Sequence, residues 1–165
     1  MKKVLVAFFS QTGNTEKVAR AICDALECEK EIRRIDETLP VEGYELIFCG
    51  FPVQAHSVPA QVVLYLKKLP KDQKVAFFTT HGSLRGGSLP RQALEDAMGL
   101  TKHAKIVSTF TCRGRVKEEV IAALGKKPQH EAWVEEAHSA HEHPTTADLE
   151  DAAAFALEAC RKARI

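Results

Sequence analysis

Short apolar runs alternate along the chain with segments in which apolar residues recur every three or four positions. The runs are rich in β-branched and aromatic residues and predict strands over Lys3–Phe9, Glu31–Ile35, Glu45–Phe51, Lys74–Thr80 and Lys105–Thr111. The helical spacing predicts helices over about Thr15–Glu27, Pro59–Lys67, Pro90–Met98, Val116–Ala123, part of Pro128–His141, and Thr146–Lys162. Five strands separated mostly by helices indicate an α/β fold.

The predicted strands are apolar at nearly every position rather than at every second one. Strands of this kind are covered on both faces, so the pattern predicts a doubly wound, three-layer sandwich around a parallel sheet. Ligands of such sheets bind beyond the carboxyl ends of the strands. The candidate loops are therefore Ser10–Thr15, Phe51–Pro59 and His81–Leu89. Arg113–Arg115, after the fifth strand, is a further candidate.

Length, charge and cysteine content narrow the class of protein. A chain of 165 residues with 45% hydrophobic residues fits one domain over residues 1–165. The 23 basic and 22 acidic side chains nearly cancel, so we expect neither nucleic acid nor an anionic membrane as a partner. No apolar run is long enough for a membrane span. Five cysteines without a C-x-x-C pair fit neither a disulfide framework nor a zinc site, which favours the reducing cytoplasm.

The first loop, Ser10-Gln11-Thr12-Gly13-Asn14-Thr15, has the composition of an anion site. A helix that begins near Thr15 leaves backbone N–H groups unpaired and carries a partial positive charge at its start. The glycine allows close approach of a ligand, and the hydroxyls and the amide add neutral donors. The alternative is a plain helix cap made by Asn14 or Thr15. G-x-G-x-x-G and the lysine-containing P-loop are both missing, so a single monophosphate is the natural ligand.

This stretch resembles the [ST]-x-T-G-x-T phosphate loop of the flavodoxin-like superfamily, which holds the 5′-phosphate of FMN. It matches every fixed position and lies at the first strand-to-helix turn. The segments Phe51–Pro59, Phe78–Gly82 and Cys112–Gly114 are similar to a bacterial branch of that superfamily. The resemblance implies a five-stranded parallel sheet of order 2-1-3-4-5. It also marks residues of about 116–144 as an extra segment before the last helix.

In the flavodoxin-like superfamily the loops after the third and fourth strands embrace the isoalloxazine ring. The resemblance therefore implies a set of FMN-binding residues: Ser10, Gln11, Thr12, Gly13, Asn14, Thr15, Pro52, Val53, Gln54, Ala55, His56, Thr80, His81, Gly82, Ser83, Gly86, Gly87 and Arg113. The alternative for the two later loops is an ordinary surface loop with turn-forming glycines. Neither loop contains Trp, Tyr, Asp or Glu, so we expect an open flavin face and easier full reduction of the flavin.

The resemblance implies a redox protein that transfers electrons through FMN to a partner protein. Two alternatives stay open: an NAD(P)H-dependent reductase of a small, quinone-like acceptor, and an interaction domain without a cofactor. No side chain stands out as a catalytic acid or base, although His56 and His81 are candidates for proton delivery. We expect no metal at the His-rich segment 130–143. We expect Cys49 and Cys112 to be buried hydrophobes.

Overall fold

The sheet has five parallel strands, as the sequence predicts. The structure is a computed structural model that describes residues 3–165. The strands are β1 (Lys3–Phe8), β2 (Glu29–Arg34), β3 (Leu46–Pro52), β4 (Lys74–His81) and β5 (Lys105–Arg113). Their order is β2-β1-β3-β4-β5, and every neighbouring pair is parallel. The predicted strand order is confirmed.

The helices form two layers that cover the sheet. They are α1 (Asn14–Ala25), α2 (Ala60–Lys67), α3 (Ser88–Leu100), α4 (Glu118–Gly125), α5 (Glu131–Ser139) and α6 (Thr146–Ala163), with a 3₁₀ turn at Pro128–His130. Helices α1 and α6 pack on one face of the sheet, and α2 and α3 pack on the other. Because successive residues of a strand point to opposite faces, Phe77 belongs to one core and Phe78 to the other. The three-layer sandwich is therefore confirmed.

The ends of the strands differ from the prediction where pairing overrides the local pattern. β2 begins two residues early because this exposed edge strand pairs in register with β1 and tolerates charged side chains. Pro52 is opposite Thr80, and His81 is opposite Arg113, so three predicted loop residues are the last residues of strands. The N–H of Val53 continues the pattern by donating to the Thr80 carbonyl at 2.9 Å.

Gly50, near the end of β3, lies beneath an aromatic ring of the neighbouring strand. It is opposite Phe78 in the register of β3 and β4, and both residues are buried. A Cβ atom placed on Gly50 would come within 2.0 Å of two carbon atoms of the Phe78 ring. The ring of Phe78 therefore fills the space that a side chain at position 50 would need.

Residues 116–144, which we call the insertion, form a closed excursion between β5 and α6. It contains α4, the 3₁₀ turn and α5. The N–H of Arg115 donates to the carbonyl of His143 at 2.9 Å, which joins the two ends of the excursion. A Cβ atom on Gly82 would come within 2.3 Å of the Val116 side chain, so the insertion packs tightly against the loop after β4. Among residues 3–165, no helix combines the length and the apolar character that crossing a bilayer requires.

Candidate functional site

Residues 10–15, which we call the phosphate loop after the motif that they resemble, leave the backbone N–H groups at the start of α1 without a side-chain cap from the part of the chain that the structure describes. Gly13 is the N-cap residue with a φ of 93°, a left-handed conformation that favours glycine, and within residues 3–165 no side chain caps the helix. The Asn14 amide instead donates to the Arg115 carbonyl at 2.8 Å, and the Thr15 hydroxyl lies 2.8 Å from the Thr80 hydroxyl. The plain-cap alternative is therefore wrong. The first N–H groups of α1 face the loop without intrahelical partners.

Two further hydrogen bonds fix the shape of the phosphate loop. The Ser10 hydroxyl accepts from the Gly13 N–H at 3.1 Å, which closes the loop on itself. The Arg34 guanidinium, at the end of β2, donates to the Ser10 carbonyl at 3.1 Å and pairs with Glu16 at 2.6 Å. The sequence shows no cation in this loop, so Arg34 is a residue that local reasoning missed. Only the parallel pairing of β1 with β2 brings it there.

The loop after β3, which we call the third loop, contains a tight turn with an unusual backbone. Ala55 and His56 have φ values of 46° and 65°, and Gln54 and Ser57 exchange two backbone hydrogen bonds of 3.0 and 2.8 Å across them. A non-glycine residue in this region costs about 1–2 kcal/mol, so the turn stores backbone strain. The Gln54 side chain donates to the Gln11 side chain at 2.7 Å. The third loop and the phosphate loop are thus brought together, as predicted.

His81, the last residue of β4, is buried with one nitrogen satisfied. Its Nδ1 lies 2.9 Å from the Ser83 carbonyl, and since a carbonyl only accepts, Nδ1 carries the proton. Nε2 has no partner among the described residues. Burial lowers the pKa of His81 to about 4, although its bond to Ser83 opposes the shift. The imidazole is neutral at pH 7 and its proton is committed, which counts against proton delivery by His81.

This buried histidine makes stability depend on pH. Its folded pKa of about 4 lies below the ordinary value of 6.5, so on acidification the unfolded chain takes up a proton first. The contribution is present in full above pH 6.5 and is lost as the pH falls toward 4, by roughly 3 kcal/mol in total. Urea denaturation at pH 7 and pH 4 should show this loss in the wild type but not in His81→Gln. Equal losses in both proteins would contradict it.

Arg113, the last residue of β5, joins the loop after β4 to the insertion. Its guanidinium donates to the carbonyls of Ser83 at 3.1 Å and of Glu136 at 2.8 Å, and to the Ser139 hydroxyl at 2.6 Å. Arg113 is therefore not a solvated turn residue. Because the guanidinium contacts both α5 and the backbone of the loop after β4, which we call the fourth loop, it holds that loop in place.

Replacing Arg113 with lysine tests this role. An ammonium keeps the charge but cannot reach the separate acceptors that the planar guanidinium joins. We expect amide hydrogen exchange in α5 and in residues 82–85 to become about tenfold faster, with little change in β1 and β3. Arg91→Lys, at an exposed position of α3, is the control. If exchange in α5 is unchanged, the connection through Arg113 contributes nothing to local stability.

The remaining predicted residues lie at the outer part of the fourth loop. Gly86 has a φ of 80°, and Gly87 is the N-cap residue of α3. The Gly87 N–H donates to the Leu84 carbonyl at 3.1 Å, which closes a turn before the helix. Both glycines therefore serve the local turn. The hydrogen bonds described above do not connect them to the phosphate loop.

A comparison with known families assigns the chain. The sequence pattern of the family described as Flavodoxin domain matches residues 5–157, most of the chain. The chain belongs to the flavodoxin domain family. It is also 28% identical over 175 residues to the flavodoxin-like domain-containing protein BilS of Clostridioides difficile (strain CD3), and the match covers 99% of each protein.

Solved structures agree on the flavodoxin fold. Oxidised flavodoxin 2 from Bacillus cereus superposes with a TM-score of 0.64 at 17% identity and covers 97% of this chain and 99% of its own. A flavoprotein from Lactobacillus acidophilus NCFM, solved in complex with FMN, superposes with a TM-score of 0.55 at 16% identity, covering 67% of this chain and 93% of its own. At these identities the structures support the fold.

Carboxylates from distant segments contact the loops after β3 and β4 of this flavodoxin domain. Asp96 of α3 accepts from the Ser57 hydroxyl at 2.6 Å, and this bond and one from Gln92 lower the pKa of Asp96. Glu136 of α5 accepts from the Leu84 N–H at 3.2 Å. The loop sequences lack Asp and Glu, but their surroundings do not. An acid-free setting is therefore not present at these two contacts, and the easier full reduction of the flavin stays a prediction.

Two cysteines near the carboxyl ends of β3 and β5 are buried in the core of the flavodoxin domain. Cys49 and Cys112 are buried, and burial raises the pKa of both thiols, that of Cys112 to about 12. They are protonated hydrophobes at neutral pH, as the sequence reading favoured. In the part of the chain that the structure describes, no group of three or more His, Cys, Asp or Glu side chains could hold a metal ion.

Proposed function

We propose that this flavodoxin domain binds FMN through its 5′-phosphate and transfers electrons through the flavin. The observation that carries the proposal is the uncapped start of α1 at Gly13. The N–H groups there and the partial charge of the helix would bind the phosphate, and Thr12 would add a hydroxyl. A capping side chain would occupy one of these N–H donors, and here no described side chain occupies one in that way, so the residues present fit a monophosphate.

The loops after β3 and β4 would hold the flavin ring beside the phosphate. The third loop is tied to the phosphate loop by Gln54 and Gln11, and β4 is tied to α1 by Thr80 and Thr15. When bound, FMN supplies the redox chemistry by accepting one or two electrons. The chain's own residues bind the phosphate, orient the ring and exclude water. Because the Nδ1 proton of His81 is bonded to the Ser83 carbonyl, His81 is poorly placed to protonate a substrate, which favours electron transfer.

A second candidate function is reduction of a small organic acceptor. A pocket of about 420 Å³ lies between the phosphate loop and the start of α2, where Gln11, Gln54 and Pro59 line it. Such a volume falls within the range of small-molecule sites.

If the domain transfers electrons, its partner is a redox protein of the cytoplasm, a compartment that the free cysteines fit.

The visible spectrum of the purified protein, with identification of the released flavin, tests the cofactor. We expect the flavin-free protein to bind FMN at least a hundredfold more tightly than riboflavin, because riboflavin lacks the phosphate. Equal affinities would contradict the phosphate assignment. In stopped-flow experiments, reduction only by reduced ferredoxin supports the carrier, whereas rapid oxidation of NAD(P)H supports the reductase.

A further inference from the structure

A second pocket, which we call the basic pocket, opens beside the phosphate loop. Its volume is about 540 Å³. Three parts of the chain line it: the phosphate loop with the first turn of α1, the residues after β5, and the connection between α5 and α6 at residues 141–144. The last two are the ends of the insertion. The extra segment of this flavodoxin domain therefore supplies much of the pocket wall.

The charged side chains of the basic pocket are mainly cationic. Lys17, Arg115 and Lys117 line it, and none of the three forms an ion pair within residues 3–165. Its one carboxylate, Glu142, lies 3.8 Å from the His141 ring. Three unpaired like charges around one pocket repel each other, and an anion between them would relieve this repulsion.

Backbone contacts hold the basic pocket against the phosphate loop. The Arg115 carbonyl accepts from the Asn14 amide at 2.8 Å, and the Arg115 N–H donates to the His143 carbonyl at 2.9 Å. A Cβ atom on Gly114 would come within 2.7 Å of the Asn14 side chain, so strand end and helix start are in close contact. The position of the backbone at Gly114 and Arg115 relative to the phosphate loop is thus set by the fold.

We propose that the basic pocket binds a second phosphate group of a nucleotide, next to the flavin phosphate. The proposal rests on the proposed function, since the flavin phosphate occupies the phosphate loop. Thr12 and Asn14 belong both to that loop and to the pocket wall, so two phosphates would be neighbours. That chemistry is found in the ADP portion of FAD and in a separate nucleotide bound beside FMN. Lysine and arginine side chains suit phosphate oxygens.

Calorimetric titrations with FMN, FAD and ADP test the basic pocket. The flavin-free protein is titrated with FMN and with FAD, and the FMN-loaded protein with ADP. The test variant is Arg115→Gln/Lys117→Gln. The control is Lys126→Gln/Lys127→Gln, which removes the same charge from exposed positions of the insertion outside the pocket. Thermal melts of both double variants show whether each is folded. The single variant Lys17→Gln removes another charge from the pocket wall and is a second test of binding.

The two nucleotide sources give different results. Binding of ADP to the FMN-loaded protein, weakened at least tenfold in the test variant and unchanged in the control, supports the site for a separate nucleotide. FAD binding at least tenfold tighter than FMN, with the advantage lost in the test variant, supports the ADP portion of FAD. The proposal is overturned if neither occurs, or if the test variant weakens FMN as much as ADP or FAD. A protein that binds no flavin would refute the proposed function instead, and ADP binding to it would still report on the pocket.

Discussion

Replacing Thr12 with aspartate is expected to weaken FMN binding about a hundredfold and to stabilise the flavin-free protein slightly. Thr12 is exposed and precedes the N-cap residue of α1, so the change disturbs no packing. Two like charges about 5 Å apart near a protein surface repel by roughly 3 kcal/mol, which is about two decades in affinity. The same carboxylate next to a helix start contributes about 0.5 kcal/mol of stability. Calorimetric titration and urea denaturation measure the two effects.

Thr12→Asn is the matched control for the aspartate variant. It has nearly the same shape without the charge, so we expect FMN affinity within a few fold of the wild type. The aspartate effect should also shrink as the salt concentration rises, because salt screens repulsion between exposed charges. If the aspartate and asparagine variants bind FMN equally, the phosphate does not lie at the start of α1.

Replacing Gly50 with alanine is expected to lower the free energy of unfolding by about 3 kcal/mol. The new methyl group would lie 2.0 Å from the Phe78 ring, which is fully buried and cannot move without displacing its neighbours. Overpacking of a dense core costs typically 1–3 kcal/mol, and this contact is at the severe end. Urea denaturation followed by circular dichroism measures the loss. Adding Phe78→Leu should recover part of it, because the smaller side chain leaves room.

The same substitution at Gly99 should have the opposite sign. Gly99 is exposed in α3, and a Cβ atom there would meet nothing within 4 Å. Alanine favours a helix over glycine by about 0.5–1 kcal/mol, so Gly99→Ala should raise stability. Similar effects at positions 50 and 99 would show that the contact with Phe78 does not limit position 50.

The core strands could be predicted because their information is local. β1, β3 and β4 are buried on both faces and apolar at nearly every position, which separates them from helices. β2 begins two residues and ends one residue before its predicted bounds. Its charged sequence carries only a weak strand pattern, and its pairing with β1 sets its bounds. The phosphate loop is also one continuous stretch, so its residues could be identified together.

The other parts of the site depend on contacts that are distant along the chain. Arg34 reaches Ser10 through strand pairing, and Glu136 reaches Leu84 through the packing of the insertion. No local pattern carries such contacts. The turn at Ala55 and His56 was not predictable either, since its left-handed backbone usually uses Gly, Asn or Asp. The charge around the loops after β3 and β4 is therefore set by distant residues, while the anion site at the start of α1 stays a prediction.

The insertion restrains the fourth loop through hydrogen bonds. Its two ends meet in the hydrogen bond between Arg115 and His143, while its far side holds that loop through Arg113 and Glu136. The mobility of the fourth loop therefore depends partly on the insertion. The insertion can change length with little effect on the sheet, because the entropic cost of closing a loop rises only slowly with its length. A change in the length of the insertion would therefore alter the mobility of the fourth loop without any change in the sequence of that loop.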